Sequence, residues 1–268
     1  MSAIRVPHVQ AATMLRAMSS GRTKPCLMLC ADDDGNLFEA VIKWRGGKEI
    51  SERGLVSELM AALLAIDLGL PVPKPFIVEV APDFNVGENK PELSAIARQS
   101  AGLNFGCERL PSGVATWPKD KPIPVLLRPL AAEIFAFDVL TQNPDRRRES
   151  PNGPNLLWTE DEIYLYDHEQ AFSFLMGIIG WQPPWTGGGT EFCRNHVFFQ
   201  QLCGIPHNLN RLSGALEALT DARLAEYVGA VPNEWRSKSD AADRIAEYLR
   251  QARQNRAALF GVINHLLL

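Results

Sequence analysis

The strongest constraint in this chain is a carboxylate set into a stretch that otherwise reads as an apolar helix. In "SERGLVSELMAALLAIDLGLPVPKP", residues 51–75, Leu55, Leu59, Ala62, Leu63 and Ile66 recur at helical spacing. Gly69 is a good helix stop, and Pro71 follows just beyond it. Glu58 lies among these apolar positions, flanked by Leu55, Leu59 and Ala62. An unpaired buried carboxylate is costly, so any fold that buries this helix must bring a cation or water to Glu58.

The rest of the chain has the means to bury such a helix. It has 268 residues, 46% of them hydrophobic and 22% charged, which is enough for one large domain or two small lobes without staples. A net charge of −4 argues against a protein whose main task is gripping nucleic acid. Cys26, Cys30, Cys107, Cys193 and Cys203 form no CxxC and no metal-ligand spacing. Their odd number fits reduced, buried thiols and a cytoplasmic setting. The first residues lack an apolar core of signal-peptide length, and no window is apolar for long enough to span a membrane.

Along the chain, residues 13–18 read as a short helical turn and "CLMLCA", 26–31, as a strand. "DDDGN" followed by "LFEAVIKW", 37–44, reads as a hairpin. In its second strand Phe38, Ala40 and Ile42 share one face, and Glu39, Val41 and Lys43 the other. "FIVEV", 76–80, is a strand, 81–93 a polar loop, and "GLNFGCERLPSG", 102–113, a short strand and turn. Beyond residue ~120 the helical period dominates, with an apolar helix over 126–140 and further helices around 196–203, 209–219 and 240–267. A strand at 163–166 runs into Asp167, and "GWQPPWTGGGTEF", 180–192, is breaker-rich loop. The expected class is α+β, a small β-rich N-terminal part and a larger helical C-terminal part. Composition shifts near residues 111–122, where Pro, Ser, Gly and Lys cluster.

Four chemical groups then stand in order: the strand lysine Lys43, the helix glutamate Glu58, a loop opening at Asp145 in "DRRRESPNGPNLLW", and Asp167 at a strand end. Phosphoryl transfer needs such parts. A lysine holds phosphate oxygens, and a helix carboxylate holds the lysine. One aspartate orients or deprotonates the acceptor hydroxyl, and an Asn and a second Asp bind Mg²⁺ through oxygen. The apolar "LLW" after Asn155 would bury the end of the loop and fix the asparagine.

The stretches "GRTKP", "AVIKW", "SELMAALLAIDLGLPVP", "GLNFGCERLPSG", "FDVLTQNPDRR", "PNLLW" and "YLYDHEQAF" occur in that order over about residues 5–175. As a set they resemble the HipA-like kinases, relatives of the protein-kinase and phosphatidylinositol-kinase fold, and more narrowly the small stand-alone bacterial members. The resemblance implies a bilobal protein-kinase-like fold, with residues 1–110 as the nucleotide-binding lobe and 111–268 as the helical catalytic lobe. It implies ATP and Mg²⁺ as cofactors and a protein serine or threonine as acceptor, a small molecule or lipid being the other option. A regulatory partner protein acts on some relatives.

By that resemblance Lys43 contacts the nucleotide phosphates and pairs with Glu58, Asp145 is the catalytic aspartate, and Asp167 is the metal aspartate. Gly21, Arg22 and Thr23 would lie over the phosphates. The turn containing Glu108 and Leu110 would form the hinge beside adenine. The chain departs from the family pattern at one point. An Asn is expected five residues after the catalytic Asp, and here that position is Ser150. The loop is longer, so Asn155, or else Asn152, becomes the metal ligand. The same departure motivates two alternatives, a pseudokinase-type binding module without turnover and transfer of AMP on the same fold.

The remaining features have blander readings. Arg146, Arg147 and Arg148 read as a solvated face, with one arginine serving the phosphate or Asp145, ahead of a nucleic-acid patch. His168, His196, His207 and His265 have no metal-ligand spacing, and His168 reads as a core histidine ahead of one that orients Asp167. "TGGGT", 186–190, lacks the Lys-Ser/Thr ending of a phosphate loop and reads as a flexible loop near the acceptor. Trp181 and Trp185 read as packing ahead of a substrate wall. Residues 176–268 carry no motif.

Overall fold

The computed structural model describes residues 3–18, 24–47, 51–87, 90–150, 153–177 and 180–268. Five strands form a closed barrel: β1 (His8–Ala17), β2 (Cys26–Ala31), β3 (Leu37–Lys43), β4 (Pro75–Val80) and β5 (Gly102–Glu108). The order around the barrel is β1-β2-β3-β5-β4, with a parallel β4–β1 pair closing an otherwise antiparallel set. Closure leaves no free sheet edge. The β2–β3 hairpin turns on Gly35 at φ 82°, and the Asp32 carboxylate accepts the backbone N–H groups of Asp34 and Asn36. Ala40 and Ile42 are buried in the barrel interior with Phe38 packed against it, while Val41 and Lys43 face the other way, as the alternation requires.

Residues 13–18 are not a helical turn, because His8–Ala17 is one strand. Its residues favour helix, but pairing to β2 and β4 decides the outcome. Register shifts between Ala11 and Thr13 and between Met14 and Arg16 hide the period of two that would have marked it. The stretch 81–93 is loop only at first. Helix α2 (Pro91–Gln99) starts within it, with Pro91 in the first helical turn.

Helix α1 (Glu52–Asp67) is capped by Ser51, whose side chain accepts the Gly54 N–H at 3.2 Å. Residues 54–65 are all buried, so α1 has no solvated face along most of its length, although Ile66 is 46% exposed. Its leucines share one apolar core with α3 (Arg128–Thr141), α8 (Ala241–Gln254) and α9 (Arg256–Leu267). The expected 240–267 helix breaks at Asn255, and the 196–203 helix shrinks to α4 (Phe199–Leu202). The helix expected over 209–219 is α5 (Asn210–Glu217). It is followed by α6 (Asp221–Ala230) and α7 (Asn233–Arg236), where the apolar pattern predicts no helix. A small sheet, β6 (Ala115–Thr116), β7 (Leu156–Trp158) and β8 (Ile163–Leu165), lies next to α3.

The motif-free C-terminal residues tie α1 down. Asp67 at its end takes two hydrogen bonds from Arg223, at 2.6 and 2.7 Å, and one from the Tyr227 hydroxyl at 2.8 Å. Lys238 pairs with Glu52 at 2.9 Å, and Trp235 Nε1 donates to the Leu103 carbonyl of β5 at 3.0 Å.

Candidate active site

Lys43 ends β3, and its ammonium lies 2.7 Å from Glu58 Oε2, 2.5 Å from Asp167 Oδ1 and 3.5 Å from Glu169 Oε2. The cation demanded by a buried Glu58 is therefore Lys43, delivered from β3. Glu58 is only 2% exposed. Its Oε2 also accepts the His168 backbone N–H at 2.7 Å, so one carboxylate joins β3, α1 and the segment after β8. Burial pushes the Glu58 carboxyl up to about 7, against the pull of Lys43. Burial also works against the Lys43 ammonium, but Asp167, Glu58 and Glu169 outweigh it and hold its pKa well above the usual value. Glu169 is likewise raised, first by burial. One ammonium faces three carboxylates, which leaves the site short of positive charge.

The loop 145–155 stands opposite. Asn155 Nδ2 donates to Asp145 Oδ2 at 2.9 Å, and the Asp145 N–H donates to Asn143 Oδ1 at 3.1 Å. With its NH₂ group used this way, Asn155 has a carbonyl oxygen left to offer. Asn155 and Asp167 both adopt left-handed backbone, at φ 55° and 59°. Asn and Asp tolerate that region better than other non-glycine residues, at a cost on the order of 1 kcal/mol. Two site residues in the same uncommon conformation mark an over-determined local structure.

Arg146 supplies much of that determination. The first arginine of the run is buried, Arg147 is exposed and Arg148 is half-buried, so the run is not a uniformly solvated face. Arg146 does not enter the cleft. Its guanidinium lies beneath the loop, donating to Asp138 Oδ2 at 2.6 Å, to the Asn155 carbonyl and to the Tyr166 carbonyl at 3.3 Å. It also approaches His168 Nδ1 at 3.4 Å. One planar fork thus links the residue after Asp145 to the asparagine backbone and to both neighbours of Asp167, the Tyr166 carbonyl and the His168 ring. Asp138 is shared with His196, whose Nε2 lies 3.0 Å away. His196 Nδ1 accepts the Phe198 N–H at 3.1 Å, which assigns the ring proton to Nε2. Burial lowers the His196 pKa and drives that of His168 well below its usual value. His168 packs edge-on to Phe137 and is a core histidine, as expected.

A cleft of about 390 Å³ holds these groups together, lined by Lys43, Glu58, Asp145, Asn155, Asp167 and Glu169. Val41, Phe105, Cys107 and Leu157 give it apolar wall, and Glu108 and Leu110 also border it. Gly21, Arg22, Thr23 and Asn152 lie outside the described residues. Trp181 and Trp185 pack on Tyr248 beside Phe174, so packing is their role. The "TGGGT" stretch is held in place, with Gln142 donating to the carbonyls of Gln182 and Gly189. All five cysteines are free thiols. Among the described residues no three His, Cys, Asp or Glu side chains are grouped to hold a metal unaided, and no helix is long and apolar enough to cross a membrane.

Asp138 is not singled out by the sequence reading, and His196 is named there only as a histidine without metal-ligand spacing. Asp138 carries the signal that exposed Glu58: a carboxylate inside the apolar run "EIFAFDVL". Glu169 gave no such signal, because only the fold turns it toward Lys43.

No curated protein matches the chain. Among solved structures it is similar to a proinflammatory kinase of Helicobacter pylori, CtkA, at 11% identity and a TM-score of 0.50, over 95% of each chain. That likeness shows a kinase fold. A Leishmania major MAP kinase, LmaMPK10, aligns over 94% of this chain and 82% of its own at 13% identity, but its TM-score of 0.27 is too low to argue from. The family model described as HipA-like kinase matches residues 11–258, nearly the whole chain, and the protein therefore belongs to the HipA-like kinase family.

Proposed function

We propose that the protein is an ATP- and Mg²⁺-dependent phosphotransferase of bilobal kinase architecture, dividing near residue 110, with the nucleotide in the cleft between the barrel and the helical part. The observation that carries this reading is the convergence of Lys43, Glu58 and Asp167 within 2.7 Å contacts, opposite the paired Asp145 and Asn155. Lys43 binds phosphate oxygens and Glu58 holds its ammonium in place. Asp145 accepts the proton of the acceptor hydroxyl, and Asn155 orients the Asp145 carboxylate. Glu108 and Leu110 border the adenine end. Catalysis on this arrangement is positioning and charge stabilisation.

The site fits a hard cation. Asp167, Asn155 and Glu169 offer oxygen to a metal, and Glu169 Oε2 is buried, with the Lys43 ammonium 3.5 Å away and no hydrogen bond among the described residues. Asp167 and Asn155 would hold Mg²⁺, which when bound neutralises phosphate charge, and the carboxylate excess around Lys43 favours its entry. A protein serine or threonine as acceptor rests on the family resemblance.

Replacing Asp145 by Asn should abolish turnover while nucleotide still raises the melting temperature. Near-wild-type phosphate transfer by that variant would refute the role of Asp145. The pseudokinase reading rested on the missing asparagine at position 150. The contact between Asn155 and Asp145 weighs against it, because the longer loop still delivers an asparagine to the cleft. Mass spectrometry of modified protein separates phosphate transfer from AMP transfer.

A further inference from the structure

A second opening lies beside the catalytic loop, a groove of about 480 Å³ whose charged lining comprises Lys119, Asp120, Arg147, Arg148, Glu149 and Arg194. Arg147 borders this groove and also the cleft that contains Asp145, so the two are neighbours on either side of one side chain. We propose that this groove docks the phosphoacceptor and that it selects a protein segment with acidic side chains close to the acceptor hydroxyl. The proposal rests on the phosphotransferase reading for its direction from Asp145, and it names the substrate class that reading leaves open.

The groove is a built feature of the loop. Arg147 and His196 form an antiparallel bridge, Arg148 N–H donates to the Asn195 carbonyl at 2.9 Å, and Val197 N–H donates to the Arg146 carbonyl at 3.1 Å. Its walls therefore hold a fixed position relative to Asp145. Its charge is out of keeping with a chain of net charge −4. Lys119 pairs with Glu149 at 2.6 Å and Arg148 with Asp120 at 2.9 Å, which uses both acids of the lining. Arg147 and Arg194 are exposed and have no carboxylate partner among the described residues. Two uncompensated guanidinium groups, Arg147 bordering the cleft and Arg194 lining the groove, suit carboxylate side chains, which they can bind in a bidentate manner. A nucleic acid would also meet positive charge there, but it binds through stacking platforms as well. Among the described residues the only aromatic ring lining the groove is that of His196, which is 4% exposed and turned into the core.

The test uses the full chain and three serine/threonine peptides, alike except for acidic, neutral or basic flanks, with a single-stranded RNA oligonucleotide as competitor. Binding is followed by fluorescence anisotropy, and ATP binding and hydrolysis without acceptor are measured separately. The acidic-flanked peptide should bind most tightly and should be the best substrate. Arg194→Glu should weaken it by roughly fivefold or more and favour the basic-flanked peptide, with ATP affinity unchanged. Arg194 is exposed and forms no ion pair among the described residues, so this variant folds, which a matching melting temperature confirms. Equal binding of the three peptides, or an Arg194→Glu variant that keeps the acidic preference, would overturn the proposal, as would displacement of the peptide by RNA. If ATP is neither bound nor hydrolysed, the phosphotransferase reading fails by itself, and the peptide anisotropy still decides the groove.

Discussion

Arg146 Nε lies 2.6 Å from Asp138 Oδ2, and neither side chain reaches solvent. This pair ties helix α3 to the loop that begins at Asp145. Removing one partner of a buried pair leaves the other charge uncompensated, a loss of about 3–5 kcal/mol. Arg146→Met should therefore lower unfolding free energy by that order in urea. Turnover should fall more than nucleotide affinity, because the Asn155 and Tyr166 carbonyls lose their shared donor while Lys43 is untouched. An unchanged urea midpoint would remove Arg146 from the scaffold.

His196 gives a pH signature. Burial lowers its folded-state pKa, whereas in the unfolded chain it titrates near about 6.5. Below that pH the unfolded state binds more protons than the folded state, so the His196 contribution to stability falls as pH drops from about 6.5 through the lowered folded value. His196→Gln retains a donor toward Asp138 and removes the titration. The stability difference between wild type and this variant, followed by denaturant midpoint from pH 7.5 to 5, should shift in favour of the variant on the acid side. Parallel curves would show that His196 does not titrate differently in the two states.

How far the sequence discloses this site depends on which link of the chain a residue acts through. Glu58 was legible because local pattern and elementary electrostatics conflict there, and the conflict demanded a partner. Lys43, Asp145 and Asp167 were legible by order and by strand or loop setting. Asn155 could be proposed beside Asn152, but its contact with Asp145 is a loop conformation that no periodicity specifies. Strand β1 was misread because its register shifts erase alternation. The clamp on α1 from Arg223 and Tyr227 bridges about 160 residues of sequence, and such separation leaves no local trace. Arg147 and Arg194 could not be paired by reading alone, since the bridge between Arg147 and His196 brings their segments together.

The clamp has a measurable consequence. Asp67→Asn keeps the shape at the end of α1 but loses the charge that Arg223 grips twice. Charge-assisted hydrogen bonds of this kind are worth about 1.5–3 kcal/mol each at most, so a drop of about 2 kcal/mol in stability is expected. If the clamp also holds Glu58 in register, the variant's heat stabilisation by nucleotide should shrink as well. Loss of stability with full nucleotide response would restrict the clamp to a structural part.

Asn155 supplies the sharpest test of the lengthened loop. Asn155→Ala removes the amide that contacts Asp145 and, under the proposed assignment, the oxygen offered to the cation, while Asn152→Ala removes neither. The readout is the Mg²⁺ concentration needed for half-maximal stabilisation of the protein by ATP, taken from melting temperatures so that it stands apart from turnover. Asn155→Ala should raise that concentration about tenfold or more, the loss of a ligand or its orienting partner being felt on this scale. Asn152→Ala should leave it where it is. Ser150→Asn placed in the Asn155→Ala background restores an asparagine five residues after Asp145, at the border of the same cleft, and it should not rescue Mg²⁺ binding, because the contact with Asp145 is made from residue 155, whereas the backbone N–H of residue 150 is turned to the Arg147 carbonyl. Rescue by that second change would mean that the spacing, and not the contact seen between Asn155 and Asp145, defines the metal site.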